Sequence, residues 1–202
     1  LTVTDPAGNT DVCTATVTVE DNVAPTVTCA DVTVNLDQNG NASISLSDVL
    51  GSVSDNCSVT LSLSDSTFDC SNIGMNTVIV TATDGSGNTS SCAANVTVVD
   101  NIAPMVTCTD VTVNLDQNGS ATISVGDVLG SATDNCTVNV ALSDSTFDCA
   151  DLGTNTVILI ATDGSGNSST CTANVTVEDN VVPNAVCQDI TVYLNSNGFV
   201  TV

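Results

Sequence analysis

Apolar residues recur along this chain at every second position rather than every third or fourth. Val59, Leu61 and Leu63 alternate with Ser58, Thr60 and Ser62. Val78, Val80 and Ala82 alternate with Thr77, Ile79 and Thr81; Cys92, Ala94, Val96 and Val98 alternate with Ala93, Asn95 and Thr97. Val32, Val34 and Leu36 lead into the turn Asp37-Gln-Asn-Gly40, and Ala42, Ile44 and Leu46 follow it. A period of two places one set of side chains on one face of an extended strand. Turn residues return about every ten positions. The pattern predicts short antiparallel strands and no long helix, with room for one helical turn between Leu46 and Ser52.

The pattern also repeats on a larger scale. Pro25, Pro104 and Pro183 are spaced by 79 residues, as are Cys29, Cys108 and Cys187. Residues 23–101 and 102–180 are identical at 56 of 79 aligned positions. Residues 1–22 match the end of such a unit and 181–202 its beginning. Equal spacing without a linker is the mark of a tandem array. The expected organisation is therefore a closing piece (1–22), two whole units (23–101 and 102–180) and an opening piece (181–202). The chain starts without Met inside a strand pattern and reads as part of a longer protein. Six or seven strands per unit predict an all-β fold, an immunoglobulin-like β-sandwich repeated in tandem.

Composition sharpens this. The chain has 23 acidic residues and no Lys, Arg or His. All the acids are Asp except Glu20 and Glu178. Without imidazole there is no His base, no Ser-His or Cys-His pair and no His metal ligand. Without cations there is no phosphate clamp and no attraction to nucleic acid or anionic lipid. No apolar run reaches the roughly 18 residues of a membrane span. An enzyme is not expected. Asp65 and Asp69, alternate positions beside a turn, make a poor glycosidase pair.

Each unit carries four cysteines on its apolar face, beside Val27, Val59, Phe68 and Ala94 in the first. There is no Cys-x-x-Cys pair, which disfavours zinc. Even-numbered inward cysteines in an acidic chain point to disulfides and an extracellular setting. Cys29 opens the first strand of the unit and Cys92 the last, and these strands run parallel if the termini lie at opposite ends. Cys57 and Cys70 flank an expected hairpin turning near Asp65. The expected bonds are Cys29–Cys92 and Cys57–Cys70, then Cys108–Cys171 and Cys136–Cys149. Loop closure makes these worth roughly 4 and 3 kcal/mol. A Cys13–Cys29 bond would have to close a span of about 40 Å and is set aside; Cys13 and Cys187 are left over.

Several motifs now combine: Ala-Pro-x-Val-x-Cys at 24–29, Asp-Asn-Cys at 55–57, the lone Phe68, Gly74, Thr77-Val78, and Ala82-Thr83-Asp84-x-x-Gly87-Asn88 followed by Cys92. Together they resemble the hyalin repeat (HYR), and the resemblance extends over both whole units and both partial ones. It implies an immunoglobulin-like fold in tandem in extracellular proteins, with roles in adhesion. The added Cys57 and Cys70 are similar to the version found in very long bacterial surface proteins. Ala30 and Thr109 stand where the family usually has Pro after its first Cys.

The joints read Glu20-Asp21-Asn22-Val-Ala-Pro25, Val99-Asp100-Asn101-Ile-Ala-Pro104 and Glu178-Asp179-Asn180-Val-Val-Pro183. They resemble the linkers of cadherins, which imply Ca²⁺ between sandwich domains. Independently of that likeness, two further acidic loops should fall at the same end of each sandwich. The candidate ligands are Asp21, Asn22, Asp55, Asn56, Asp84 and Asn88, and at the next joint Asp100, Asn101, Asp134, Asn135, Asp163 and Asn167. Six hard oxygens suit Ca²⁺. The rival reading is ordinary turn and linker chemistry with solvated carboxylates. Val99 in place of Glu makes the middle joint one charge weaker. Asp65-Ser66-Thr67 and Asp144-Ser145-Thr146 fit a bacterial O-glycosylation acceptor at Ser66, Thr67, Ser145 or Thr146, or simple turns.

The leading expectation is a structural segment of an extracellular stalk, fibre or filament of a cell-surface adhesin, partnered by neighbouring repeats. Continuity across two joints favours one long chain over strand-exchanged subunits. The alternatives are an adhesive, carbohydrate-binding module, which the near absence of aromatics disfavours, and accessory repeats of a larger secreted enzyme.

Overall fold

The computed structural model describes residues 1–199. Two compact units emerge. Unit 1 takes in residues 1–103 together with the loops 134–137 and 163–167; unit 2 takes in 104–133, 138–162 and the chain from Ser168 onward.

Unit 1 begins with a small hairpin, β1 (Thr2–Thr4) and β2 (Thr10–Val12), whose side chains are all exposed. Eight strands follow: β3 (Thr26–Cys29), β4 (Val32–Asn35), β5 (Asn41–Ser43), β6 (Leu50–Ser54), β7 (Val59–Leu63), β8 (Thr67–Asp69), β9 (Gly74–Asp84) and β10 (Thr89–Val99). The largest sheet has the order β4-β10-β9-β7. Its β9–β10 hairpin is antiparallel, and β4 lies parallel to β10, with Val32 opposite Val96. β3 pairs with β6, and β5 with β8. β3 packs across β9 and β10. A single turn of helix, α1 (Leu46–Val49), is closed by Asp48, whose carboxylate accepts from the backbone and hydroxyl of Ser45.

The period of two is what buries the core. Val78, Val80 and Ala82 of β9 and Ala94, Val96 and Val98 of β10 are buried, while Ile79 between them is exposed. Val49 and Phe68 fill the space between the sheets. Burial of each aliphatic side chain is worth about 1.5–3 kcal/mol, so Val80, with no exposed surface, is a costly position to truncate.

Unit 2 repeats the plan with β11 (Met105–Cys108), β12 (Val111–Asn114), β13 (Ser120–Thr122), α2 (Val125–Val128), β14 (Leu129–Thr133), β15 (Val138–Leu142), β16 (Thr146–Asp148), β17 (Gly153–Asp163) and β18 (Ser168–Glu178). Its large sheet runs β12-β18-β17-β15. Among the described residues no helix is long and apolar enough to cross a membrane.

Residues 57–70 depart from the expected hairpin. β7 pairs with β9, whereas β8 pairs with β5, so the chain leaves one sheet for another after Ser64. Cys57 sits next to the Val59–Asp84 pair at one end of β9. Cys70 sits by Gly40, in the turn that follows the Leu36 N–H to Val99 carbonyl bond at the far end of β10. These ends are about 33 Å apart along an eleven-residue strand, far beyond the reach of a disulfide. The Cys57–Cys70 pairing is therefore corrected. Cys70 bonds Cys136, with Cα atoms 5.6 Å apart. Cys136–Cys149 falls for the same reason: β15 and β16 also lie in different sheets. Cys29 bonds Cys92 and Cys108 bonds Cys171, while Cys13, Cys57, Cys149 and Cys187 keep free thiols.

Candidate metal centres

Aspartates gather twice in unit 1. At the first site each is fixed by its own turn. Asp21 accepts the N–H of Val23 at 3.0 Å, and Asp55 that of Cys57 at 3.1 Å. Asp84 accepts the N–H groups of Ser86 and Asn88 at 2.9 and 2.8 Å. Such Asx turns aim the carboxylates without help from any cation. One oxygen from each of the three residues lies within 4.8 Å of the others.

The second site repeats this with Asp100, Asp134 and Asp163, again within 4.8 Å. Asp100 accepts from Ile102 N–H and from the Asn135 amide, both at 3.1 Å. Asp134 accepts from Cys136 N–H at 3.2 Å, and Asp163 from Ser165 and Asn167 N–H at 2.9 and 2.8 Å. Asp100 is 3% exposed and Asp163 8%.

Several of these oxygens are buried without any hydrogen-bond partner: Oδ2 of Asp21 and Oδ1 of Asp55 at the first site, Oδ2 of Asp100, Oδ1 of Asp134 and Oδ1 of Asn135 at the second. Buried polar atoms are nearly always satisfied, and carboxylates crowded together disfavour one another's charge. The donor set is oxygen only, the chemistry of Ca²⁺ or Mg²⁺ and not of zinc.

Hydrogen bonds keep some of these groups charged. The Val23 N–H and then the Asn56 amide hold Asp21 below the usual carboxylate value, and the Asn88 amide does the same for Asp84. Burial pushes Asp163 up, but the Asn167 side chain and backbone N–H bonds together outweigh it, and its net shift is downward. The Cys57 thiol is raised, chiefly by the Asp21 carboxylate beside it.

The asparagines divide by what they present. Asn88 turns its amide N–H₂ to Asp84 at 2.7 Å and to the Asp21 carbonyl at 2.9 Å. Asn167 does the same to Asp163 and the Asp100 carbonyl, at 2.7 and 3.0 Å. Both clamp the loops as donors through the amide nitrogen. Asn56 donates to Asp21 at 3.2 Å, Asn101 turns away to Asn35, and Asn22 is exposed. Asn135 alone offers a buried, unpartnered oxygen.

A seat for the second site was not legible in the chain. Asn135 also donates to the carbonyl of Asp37 at 3.2 Å, in a turn that reads only as a turn. Gly40 in that turn has φ of 74°, and a Cβ there would lie 2.6 Å from the Asn135 carbonyl oxygen and 2.7 Å from Cys70 Sγ. Only glycine lets the loop close down on Cys70. Ser66, Thr67, Ser145 and Thr146 are exposed.

Among solved structures the chain is similar to human protocadherin-24 EC1-2 (14% identity over 79% of this chain and 100% of that one, TM-score 0.43). It is also similar to human mucin-like protocadherin EC1-2 (13% identity, 77% and 98%, TM-score 0.39) and to titin domains I67–I69 (11% identity, 76% and 65%, TM-score 0.42). No curated protein matches the chain. The family model of the HYR domain matches residues 99–177, which span β11 to β18 and the Cys108–Cys171 bond. Residues 99–177 are thus similar to the HYR domain and carry one disulfide, Cys108–Cys171.

Proposed function

We propose that this chain is a structural segment of an extracellular stalk or filament, built from disulfide-bonded HYR repeats and stiffened by Ca²⁺, with no catalytic role of its own. The observation that carries the Ca²⁺ reading is the set of orphaned oxygens on Asp100, Asp134 and Asn135 beside Asp163. A divalent cation among them would supply what their hydrogen bonding lacks and cancel their repulsion. It would tie residues 100–103 to the loops 134–137 and 163–167, three pieces far apart in sequence. Asp21, Asp55 and Asp84 would hold a second ion more openly.

The spacer reading is supported by where the aromatics lie. Phe68 and Phe147 are 5% exposed and cannot stack on a sugar. That leaves Tyr193 and Phe199 as the exposed aromatic side chains.

The test is thermal melting of the chain in chelator and in Ca²⁺. Binding to the folded state alone stabilises by about 2.7 kcal/mol when Ca²⁺ is a hundredfold above Kd, so Tm of the unaltered chain rises. Asp100→Asn reverses the order: it melts above the parent in chelator, where one of three crowded charges is gone, and below it in saturating Ca²⁺. An unchanged Tm for the parent on adding Ca²⁺ rejects the metal and leaves a plain spacer. Scattering measurements on the same samples check stiffening, which shows as a greater end-to-end length in Ca²⁺.

A further inference from the structure

The second aspartate cluster shares a loop with a disulfide. Asp134, Asn135 and Cys136 are consecutive, in a stretch without strand or helix. Asp134 and Asn135 each carry a buried oxygen that lacks a hydrogen-bond partner, and Cys136 bonds Cys70. The other orphaned oxygen of this cluster, Oδ2 of Asp100, comes from a separate stretch of chain.

Apart from that bond, the hold on the loop is slight. Asn135 donates to the Asp37 carbonyl at 3.2 Å and to Asp100 at 3.1 Å. Asp134 accepts the N–H of Cys136, inside the loop itself. The Asn135 carbonyl oxygen rests 3.5 Å from Cys70 Sγ. Such hydrogen bonds contribute little net stability each. The disulfide is therefore what fixes two of the oxygen-bearing residues beside Asp100 and Asp163.

The three disulfides are placed differently. Cys29–Cys92 joins β3 to β10, and Cys108–Cys171 joins β11 to β18. Those four strands are held in ladders of backbone bonds. Cys136 lies in a loop, and Cys70 opens the short turn Cys70–Asn72. Loops open at lower free energy than core strands, so Cys70–Cys136 is the bond most open to attack by a thiol.

We infer that the Cys70–Cys136 disulfide and a divalent cation held by Asp100, Asp134, Asn135 and Asp163 stabilise each other, so that reduction releases the ion and the ion protects the bond. The inference rests on the Ca²⁺ reading above and adds its regulation by redox. In the reducing step an external dithiol gives up two electrons and two protons and closes its own disulfide. Cys70 and Cys136 take them up as their S–S bond breaks and two S–H bonds form. The freed loop turns the Asp134 and Asn135 oxygens out to water, which leaves Asp100 and Asp163 as a weaker site. In the other direction, a bound ion ties the loop to Asp100 and Asp163 and keeps the two thiols within reach of each other. The two effects are one coupling and are equal in size. A coupling of about tenfold corresponds to about 30 mV for this two-electron couple.

The experiment uses the full chain with its free thiols removed (Cys13→Ser, Cys57→Ser, Cys149→Ser and Cys187→Ser) so that the bonds do not shuffle. Ca²⁺ is titrated by NMR, with the Asn135 side-chain amide reporting the second cluster and that of Asn56 the first. Adding Cys70→Ser with Cys136→Ser should raise the Kd read at Asn135 about tenfold and leave that at Asn56 unchanged. A second measurement keeps all three bonds. In graded ratios of oxidised to reduced dithiothreitol, with thiols trapped by alkylation and mapped, Ca²⁺ should lower the midpoint potential of Cys70–Cys136 by about 30 mV relative to chelator, and move that of Cys108–Cys171 by less. An oxidised chain that binds no Ca²⁺ overturns the metal reading and the inference with it. Binding at Asn135 that is indifferent to the bond, or a Cys70–Cys136 midpoint indifferent to Ca²⁺, leaves the metal in place and overturns the inference alone.

Discussion

The two aspartate clusters of unit 1 use the same three residues in the same turns, yet they are not equally enclosed. Asp100 is 3% exposed, whereas its counterpart Asp21 is only half-buried. Asn135 is half-buried and meets both Asp37 and Asp100, whereas Asn56 is exposed and meets Asp21 alone. The Asp-Asn-Cys loop is the same in both places, so the loop does not decide the burial. At the second cluster the loop rests on the Asp37–Gly40 turn and is held by the bond from Cys70. Enclosure of a carboxylate cluster is thus a property of what the loop rests on.

The strongest way to break the contrast is to remove the bond. Cys70→Ser with Cys136→Ser opens a 66-residue separation, which loop closure values at about 4 kcal/mol. The expected result is a large fall in Tm, and amide exchange at Asn135 as fast as at Asn56. Exchange at Asn135 that stays slow would assign the enclosure to packing alone.

A smaller change sharpens the contrast. Asn135→Ala deletes two hydrogen bonds, one to a charged group, and should cost about 1–3 kcal/mol. Asn56→Ala removes one exposed contact and should fall within about 0.5 kcal/mol of the parent. Denaturant melts of the two variants measure the difference directly; equal losses would erase the distinction drawn between the clusters.

The smallest effect per residue concerns pH. Asp84 and Asp163 are both held below the usual carboxylate value. A lowered native value means the group stabilises above its unfolded value, near pH 4, and that this contribution is lost as pH falls through the lower native one. In chelator, Tm should therefore fall on acidification below about pH 4, and Asp84→Asn or Asp163→Asn should each flatten that slope. A Tm that rises on acidification would mean that relief of the crowded charge outweighs these hydrogen bonds.

Strand placement was readable because burial acts on alternate residues, and β9 and β10 carry the alternation over eleven residues each. The fate of residues 57–70 was not. Alternation tells which side chains face inward but not which sheet they face from, and Val59 and Phe68 look inward from different sheets. The same blind spot hid the Cys70–Cys136 bond. The loops bearing Asp21, Asp55 and Asp84 can be grouped from their places at strand ends. The roles of Asn88 and Asn167 cannot be read, because one side chain carries both a donor and an acceptor. Gly40 could be read as a turn glycine, but its contact with Asn135 depends on a residue 95 positions away in the chain.

The Cys29–Cys92 bond has a consequence for contour length. It closes a sequence separation of 63 residues, which at about 3.5 Å each would otherwise pay out roughly 220 Å of slack. A pull entering at Val23 and leaving at Asn101 crosses the sulfur bridge and bypasses almost the whole sandwich. Stretching single molecules before and after reduction should reveal that hidden length as an added step. With the bridge intact, only β3 and the part of β10 beyond Cys92 lie on the line of force, and the strands between the two cysteines are spared the load.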